Sequence, residues 1–228
     1  MTFKTLYRQL AGALLALAAL TLIACDQQAP DGISSAGPIP VPDMSFFITS
    51  EGPGNGGDLG GLEGADSHCQ NLAEAAGAGD KTWVAYLGTE QEGGRGTDAR
   101  SRIGNGPWHN AAGELIAENI DDLHLSPNIV RGTALDENGN RVLGRGDSTN
   151  RHDILTGVMA DGTAFFPDTD DHTCNNWTSS SEGSAMLGHF DRQGGGNTSW
   201  NAAHQSRSCS QADLRATGGD GLLYCFAN

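Results

Sequence analysis

The sequence predicts an α+β domain, on three observations. One strong helical pattern stands early in the chain, short strand-like apolar runs follow it, and long glycine-rich loops separate the pieces. Glycine supplies 33 of the 228 residues but shows no three-residue period, which excludes a collagen-like chain.

The elements are read in chain order. Phe46-Phe47-Ile48-Thr49 has the composition of a short strand, and the loop EGPGNGGDLGG follows it. In GLEGADSHCQNLAEAAGAG, Leu62, Ala65, Cys69, Leu72 and Ala76 recur at three- and four-residue steps, with Gly77 as the stop. That spacing predicts an amphipathic helix with Cys69 on its buried face. Thr82 to Leu87 (TWVAYL) predicts a strand. Gly113 to His124 predicts a short helix, because Leu115, Ile116, Ile120 and Leu123 would share a face. TALDENGNRV and HDILTGVMADGTAF are apolar pieces broken at Asn-Gly and Asp-Gly, which predicts hairpins. Cys174 to Trp177 (CNNW) reads as part of a core strand, in which Asn175 and Asn176 would face opposite sides. Gly221 to Phe226 predicts a closing strand.

The first residues read as an export signal. Lys4 and Arg8 precede an uncharged apolar run from Leu10 to Ala24, shorter than the roughly 20 residues a spanning helix needs. Leu22-Ile23-Ala24-Cys25 has the form of a bacterial lipobox, with small Ala24 before a thiol that takes diacylglycerol. A plain signal cut elsewhere and an uncleaved helix are the alternatives. The expected organisation is a signal over 1–24, an acylated Cys25 with a proline-rich tether over 25–43, and one domain over 44–228. The expected location is the cell envelope, with Cys25 held in the lipid bilayer and the domain facing the periplasm or exterior.

Charge narrows the partners. Losing Lys4 and Arg8 takes the formal net charge from −15 to −17. Such a surface repels phosphate backbones, so nucleic acid is excluded as a partner, while cations such as calcium remain in play. Besides Cys25 there are four cysteines, Cys69, Cys174, Cys209 and Cys225. An even count in an exported chain argues for two disulfides, with three possible pairings. No C-x-x-C spacing supports a four-cysteine zinc site.

At this point the chain resembles a known family. GLEGADSHCQNLAEAAG followed by TWVAYLGT is similar to the early helix and strand of the endostatin family, and CNNWTSSS with SCSQADLRATGGDGLLYCF is similar to its later cysteine–tryptophan segment and final cysteines. The resemblance spans about residues 44–228, strongest at the ends and weak over 88–165. It also takes in a bacterial lectin-like lipoprotein group through ARSRIGNGPWHNAAGELIAEN and HDILTG. It implies a C-type lectin-like fold and two nested disulfides, Cys69–Cys225 and Cys174–Cys209. Two departures matter. The histidines of the family's zinc site are missing from VPDMSFFITSEG. The calcium-lectin tripeptides Glu-Pro-Asn or Gln-Pro-Asp and Trp-Asn-Asp are replaced by Ser126-Pro127-Asn128 and Trp200-Asn201-Ala202, each short of a carboxylate.

Several positions could carry chemistry. Asp168, Asp170 and Asp171, beside His172, are hard oxygen donors that could gather Ca²⁺, or an acidic surface loop. Trp108 and Trp200 lie among turn residues, where an exposed ring could stack on a sugar and Asn176 or Asn201 could fix its hydroxyls; the plainer reading is packing. Trp177 reads as core. His152-Asp153, His172, His189-x-Asp191 and His204 could assemble an acid–base pair or a metal site if the fold brings them together. Arg145-Gly146-Asp147 spells an adhesion tripeptide that a chain so rich in Gly and Asp produces by chance. No nucleophile elbow, zincin helix or phosphate loop is present in the sequence. The expectation is a non-enzymatic binding domain for carbohydrate. A protein–protein adhesion module is the alternative, and a metal-dependent hydrolase comes after it.

Overall fold

The computed structural model describes residues 43–192 and 196–228. The signal, the Cys25 acylation site and nearly all of the tether lie outside these residues. The elements are β1 (Phe46–Ile48), α1 (Gly61–Ala75), β2 (Trp83–Ala85), β3 (Glu90–Gln91), β4 (Gly94–Arg95), β5 (Trp108–His109), β6 (Leu115–Ala117), α2 (Ile120–Leu125), β7 (Asp153–Leu155), β8 (Met186–His189), β9 (His204–Gln205), α3 (Gln211–Thr217) and β10 (Gly219–Ala227). The architecture is α+β. The main sheet runs β1-β10-β7-β8-β9, with β2 also paired to β10, and only the β10–β7 pair is parallel. No helix among the described residues is long and apolar enough to cross a membrane.

The sheet is buried on both faces, and period-2 alternation sorts its side chains. Phe47, Leu155, Leu187, Leu223 and Cys225 join α1, Trp83 and Trp177 on one side. Phe46, Ile48, Ile154, Leu222, Tyr224 and Phe226 join Trp108 and Trp200 on the other. Each such side chain contributes about 1.5–3 kcal/mol by leaving water.

Helix α1 also completes the sheet's rim. Asp66 accepts the Ala85 N–H at 2.8 Å and Gln70 accepts the Trp83 N–H at 3.0 Å. The match is geometric: four helical residues advance about 6 Å and two strand residues about 6.6 Å. Arg102 then pairs with Asp66 at 2.6 Å.

The disulfides are Cys69–Cys225 and Cys174–Cys209, the nested pairing implied by the resemblance, closing separations of 156 and 35 residues. The first ties α1 to β10. The second ties the Cys174 turn to the segment that enters α3.

Three local expectations need correction. The helix expected over 113–124 begins only at Ile120, because Asn119 caps it by accepting the Asp121 and Asp122 N–H groups. Leu115-Ile116-Ala117 before it is a strand paired with β5. The Asn-Gly and Asp-Gly turns exist without full hairpins. Asp136 gathers the N–H groups of Asn138 and Asn140, leaving one bridge between Leu135 and Arg141, while β7 pairs with β8 and β10 instead. Cys174 to Trp177 is a left-handed turn rather than a strand, with φ of 49°, 52°, 54° and 65°. L-residues pay about 1–2 kcal/mol each for that conformation, and asparagine tolerates it best. Asp171 accepts the Asn175 N–H, Thr173 Oγ1 accepts that of Asn176, and the Trp177 indole donates to Gly88 O at 2.7 Å.

Candidate functional site

The site begins with strand register. Asp153 opens β7 and lies directly opposite His189 on β8, while β9 sets His204 opposite Leu187, two residues from His189 on the same face. His152 precedes Asp153 and stacks its ring on that of His189, with centroids 4.2 Å apart. Glycines at 218 and 219 leave room for this crowding. A Cβ on Gly218 would come 3.2 Å from the His152 ring, and one on Gly219 would come 3.1 Å from the Asp153 Cβ. Gly218 also sits at φ 111°, closing α3 with a left-handed cap.

Three imidazoles therefore face one carboxylate oxygen. Asp153 Oδ1 lies 2.9 Å from His189 Nε2, 3.1 Å from His152 Nε2 and 3.6 Å from His204 Nε2. The far side of each ring is fixed. His189 Nδ1 donates to Asn197 O at 2.7 Å, His204 Nδ1 to Gln205 O at 2.8 Å, and His152 Nδ1 to Asp191 Oδ1 at 2.9 Å. A backbone carbonyl only accepts, so Nδ1 carries the proton in His189 and His204.

The cluster is buried and incompletely paired. Asp153, His189 and His152 are 1%, 3% and 6% exposed. Among the described residues, both Asp153 oxygens and His189 Nε2 lack an aligned hydrogen-bond partner. Burial opposes the charge on Asp153, but the nearby His189 and His204 rings outweigh it and hold the carboxyl at about 2. The same contact raises His204 above the usual histidine range, with burial opposing. Asp191 is also held low: burial works against it, and the His152 contact and the Arg145 N–H prevail.

A cleft of about 370 Å³ adjoins the cluster, bounded by His124, Leu125, His189, Arg192, Ser199 and Trp200. His189 thus belongs to both. Leu125 is 85% exposed at this cleft. Trp200 is buried against Tyr86 and Tyr224, and its indole Nε1–H has no partner among the described residues. Beneath it, Tyr86 donates to His124 Nε2 at 2.7 Å and accepts from Asn201 Nδ2 at 2.9 Å. Burial lowers the His124 pKa, and its Nδ1 donates to Ile120 O.

The expected site residues fall in different places. Trp200 and Asn201 both line the cleft, Asn201 fully buried. Trp108 is 1% exposed and packs edge-on against Phe226, with no ring face toward solvent. Asn176 spends its amide on both backbone groups of Glu90, at 2.7 and 3.1 Å. Asp168 accepts the Asp170 N–H, and Asp171 accepts those of Thr173 and Asn175, which is turn chemistry. Among the described residues, the group of His, Cys, Asp or Glu donors close enough to share an ion is His152, Asp153 and His189, not the 168–171 loop. His172 lies apart, bonded to Glu90 and stacked on Phe165.

His124, Leu125 and Arg192 were not legible as cleft residues from sequence, nor was Tyr86 as the residue beneath Trp200. For the cluster, one local signal existed: His189-x-Asp191 has the two-residue step of one strand face, although β8 ends at His189 and Asp191 lies in the turn that follows. Compared with known proteins, the chain matches no family model and no curated protein.

Proposed function

We propose that the chain is a cell-envelope lipoprotein, held in the bilayer through acylated Cys25, that displays a C-type lectin-like domain for binding carbohydrate in the His189–Trp200 cleft. The α+β sheet and the nested staples from α1 to β10 and across 174–209 are consistent with that fold. One observation carries the binding reading: the Trp200 indole N–H is buried beside the cleft without an acceptor among the described residues. An unmet donor costs about 1–3 kcal/mol, which a ligand oxygen seated in the cleft would recover. Leu125 offers apolar contact for a sugar's C–H face, and Arg192 a charged donor at the same cleft.

A glycan array with the wild-type protein and Trp200→Phe tests this. Phenylalanine keeps a ring among Tyr86 and Tyr224 while removing the N–H. Selective glycan binding that weakens about tenfold in the variant supports the reading. No binding across envelope and host-type glycans, or equal binding by both proteins, rejects it.

A further inference from the structure

The histidine–carboxylate cluster goes beyond this binding reading and does not depend on it. Its geometry is difficult to explain as a set of hydrogen bonds. With Nδ1 committed to Asn197 O, the remaining ring nitrogen of His189, Nε2, is the atom that faces the Asp153 carboxylate across the strand pair. The 2.9 Å contact lacks hydrogen-bond alignment, and both groups are almost completely buried. A buried charge without paired donors is among the most costly features a fold can hold. A cation held among these atoms removes that cost.

The spacing suits one. Donors bound to a common ion at about 2.0–2.1 Å stand about 2.9–3.4 Å apart, across octahedral to tetrahedral arrangements. His189 and His152 lie 2.9 and 3.1 Å from Asp153 Oδ1. The outer contacts also have the form that metal-binding histidines use, in which the distal N–H is held by a carboxylate or carbonyl: Asp191 for His152, Asn197 O for His189 and Gln205 O for His204.

The structure assigns a divalent transition-metal site, of the kind zinc occupies, to His152, Asp153 and His189, with His204 the nearest further donor. Imidazole-rich ligation selects this class over calcium, which takes oxygen ligands. Binding requires a small rearrangement. The His152 and His189 rings are parallel within 10°, and each turns about its χ2 to aim Nε2 at the shared ion.

The test is metal analysis of the full protein after loading with Zn²⁺ and dialysis against metal-free buffer, joined to zinc-edge X-ray absorption. The expected result is one zinc per chain, with nitrogen and oxygen neighbours at about 2.0–2.1 Å and the scattering pattern of at least two imidazoles. His189→Gln is expected to abolish stoichiometric zinc, and Asp191→Asn, which removes the negative charge from the outer contact on His152, to weaken binding about 10- to 100-fold. Zinc below stoichiometry in the wild type overturns the assignment, as does full retention in His189→Gln or an all-oxygen shell like that of an acidic loop. The absorption measurement uses the wild type alone, so a variant that fails to fold leaves the test intact.

Discussion

His189 Nε2 lies 2.9 Å from Asp153 Oδ1, cross-strand on β8 and β7, in a buried contact that lacks hydrogen-bond alignment. Each is positioned by backbone pairing, and each is otherwise committed: His189 through Nδ1 to Asn197 O, Asp153 through the crowding of three rings. The contact joins the buried cluster to the open cleft, because His189 also lines the latter.

Metal removal therefore has a thermal signature. At free zinc about 100 times its dissociation constant, binding to the folded state adds about 2.7 kcal/mol. For a domain of this size that raises the melting temperature by about 5–10 °C. Differential scanning calorimetry should show the rise with zinc and its reversal by a chelator. Asp153→Asn should show neither.

The two disulfides are unequal. On the chain-entropy account, closing 156 residues stabilises by about 5 kcal/mol and closing 35 residues by about 4. Replacing Cys69 and Cys225 by serine should therefore lower stability more than replacing Cys174 and Cys209, as read from urea midpoints at equal slope.

Asn176 supports a fold element through its amide and its tolerance of φ 54°. Asn176→Ala should cost about 2 kcal/mol, combining left-handed strain with the lost Glu90 contacts. Asn176→Gly should cost less, because it relieves the strain alone. Equal stability of all three proteins in thermal denaturation would show that the amide is not structural.

Asp147, the acid of the Arg-Gly-Asp tripeptide, is already engaged. Arg141 bonds its carboxylate at 2.9 Å, the Gly144 N–H at 2.8 Å and Arg131 at 2.6 Å. The Arg141 hydrogen bond, followed by that from Gly144, holds its pKa at about 2, below the ordinary 3.8. A depressed carboxylate contributes stability that is complete above the unfolded value and lost as pH falls through the folded one. The stability gap between wild type and Asp147→Asn should thus be flat near neutrality and close between about pH 4 and pH 2. Salt should narrow it, since the pair is near solvent.

These residues also show where sequence reading succeeds and stops. Helix α1 was legible because Ala65, Cys69 and Leu72 keep a helical step, and β10 because its apolar run is continuous. Residues 115–123 were misread because a short apolar run fits either period, and Asn119 divides it. The left-handed Cys174 turn is held by Asp171, Thr173 and Gly88, contacts that no local propensity encodes. Trp108 and Trp200 sit among polar neighbours in sequence, yet Phe226 and Tyr224 from the far end of the chain bury them. The histidines could be listed as candidates, but their meeting depends on the β7-β8-β9 register.

The most direct measurement of ligand binding in the His189–Trp200 cleft is the indole N–H signal of Trp200 in a ¹H–¹⁵N spectrum, followed as the array's best glycan is titrated in. The account predicts that this signal moves, while those of Trp83 and Trp177, bonded to Ala78 O and Gly88 O, stay in place. A Trp200 signal that does not move at saturating glycan would contradict it.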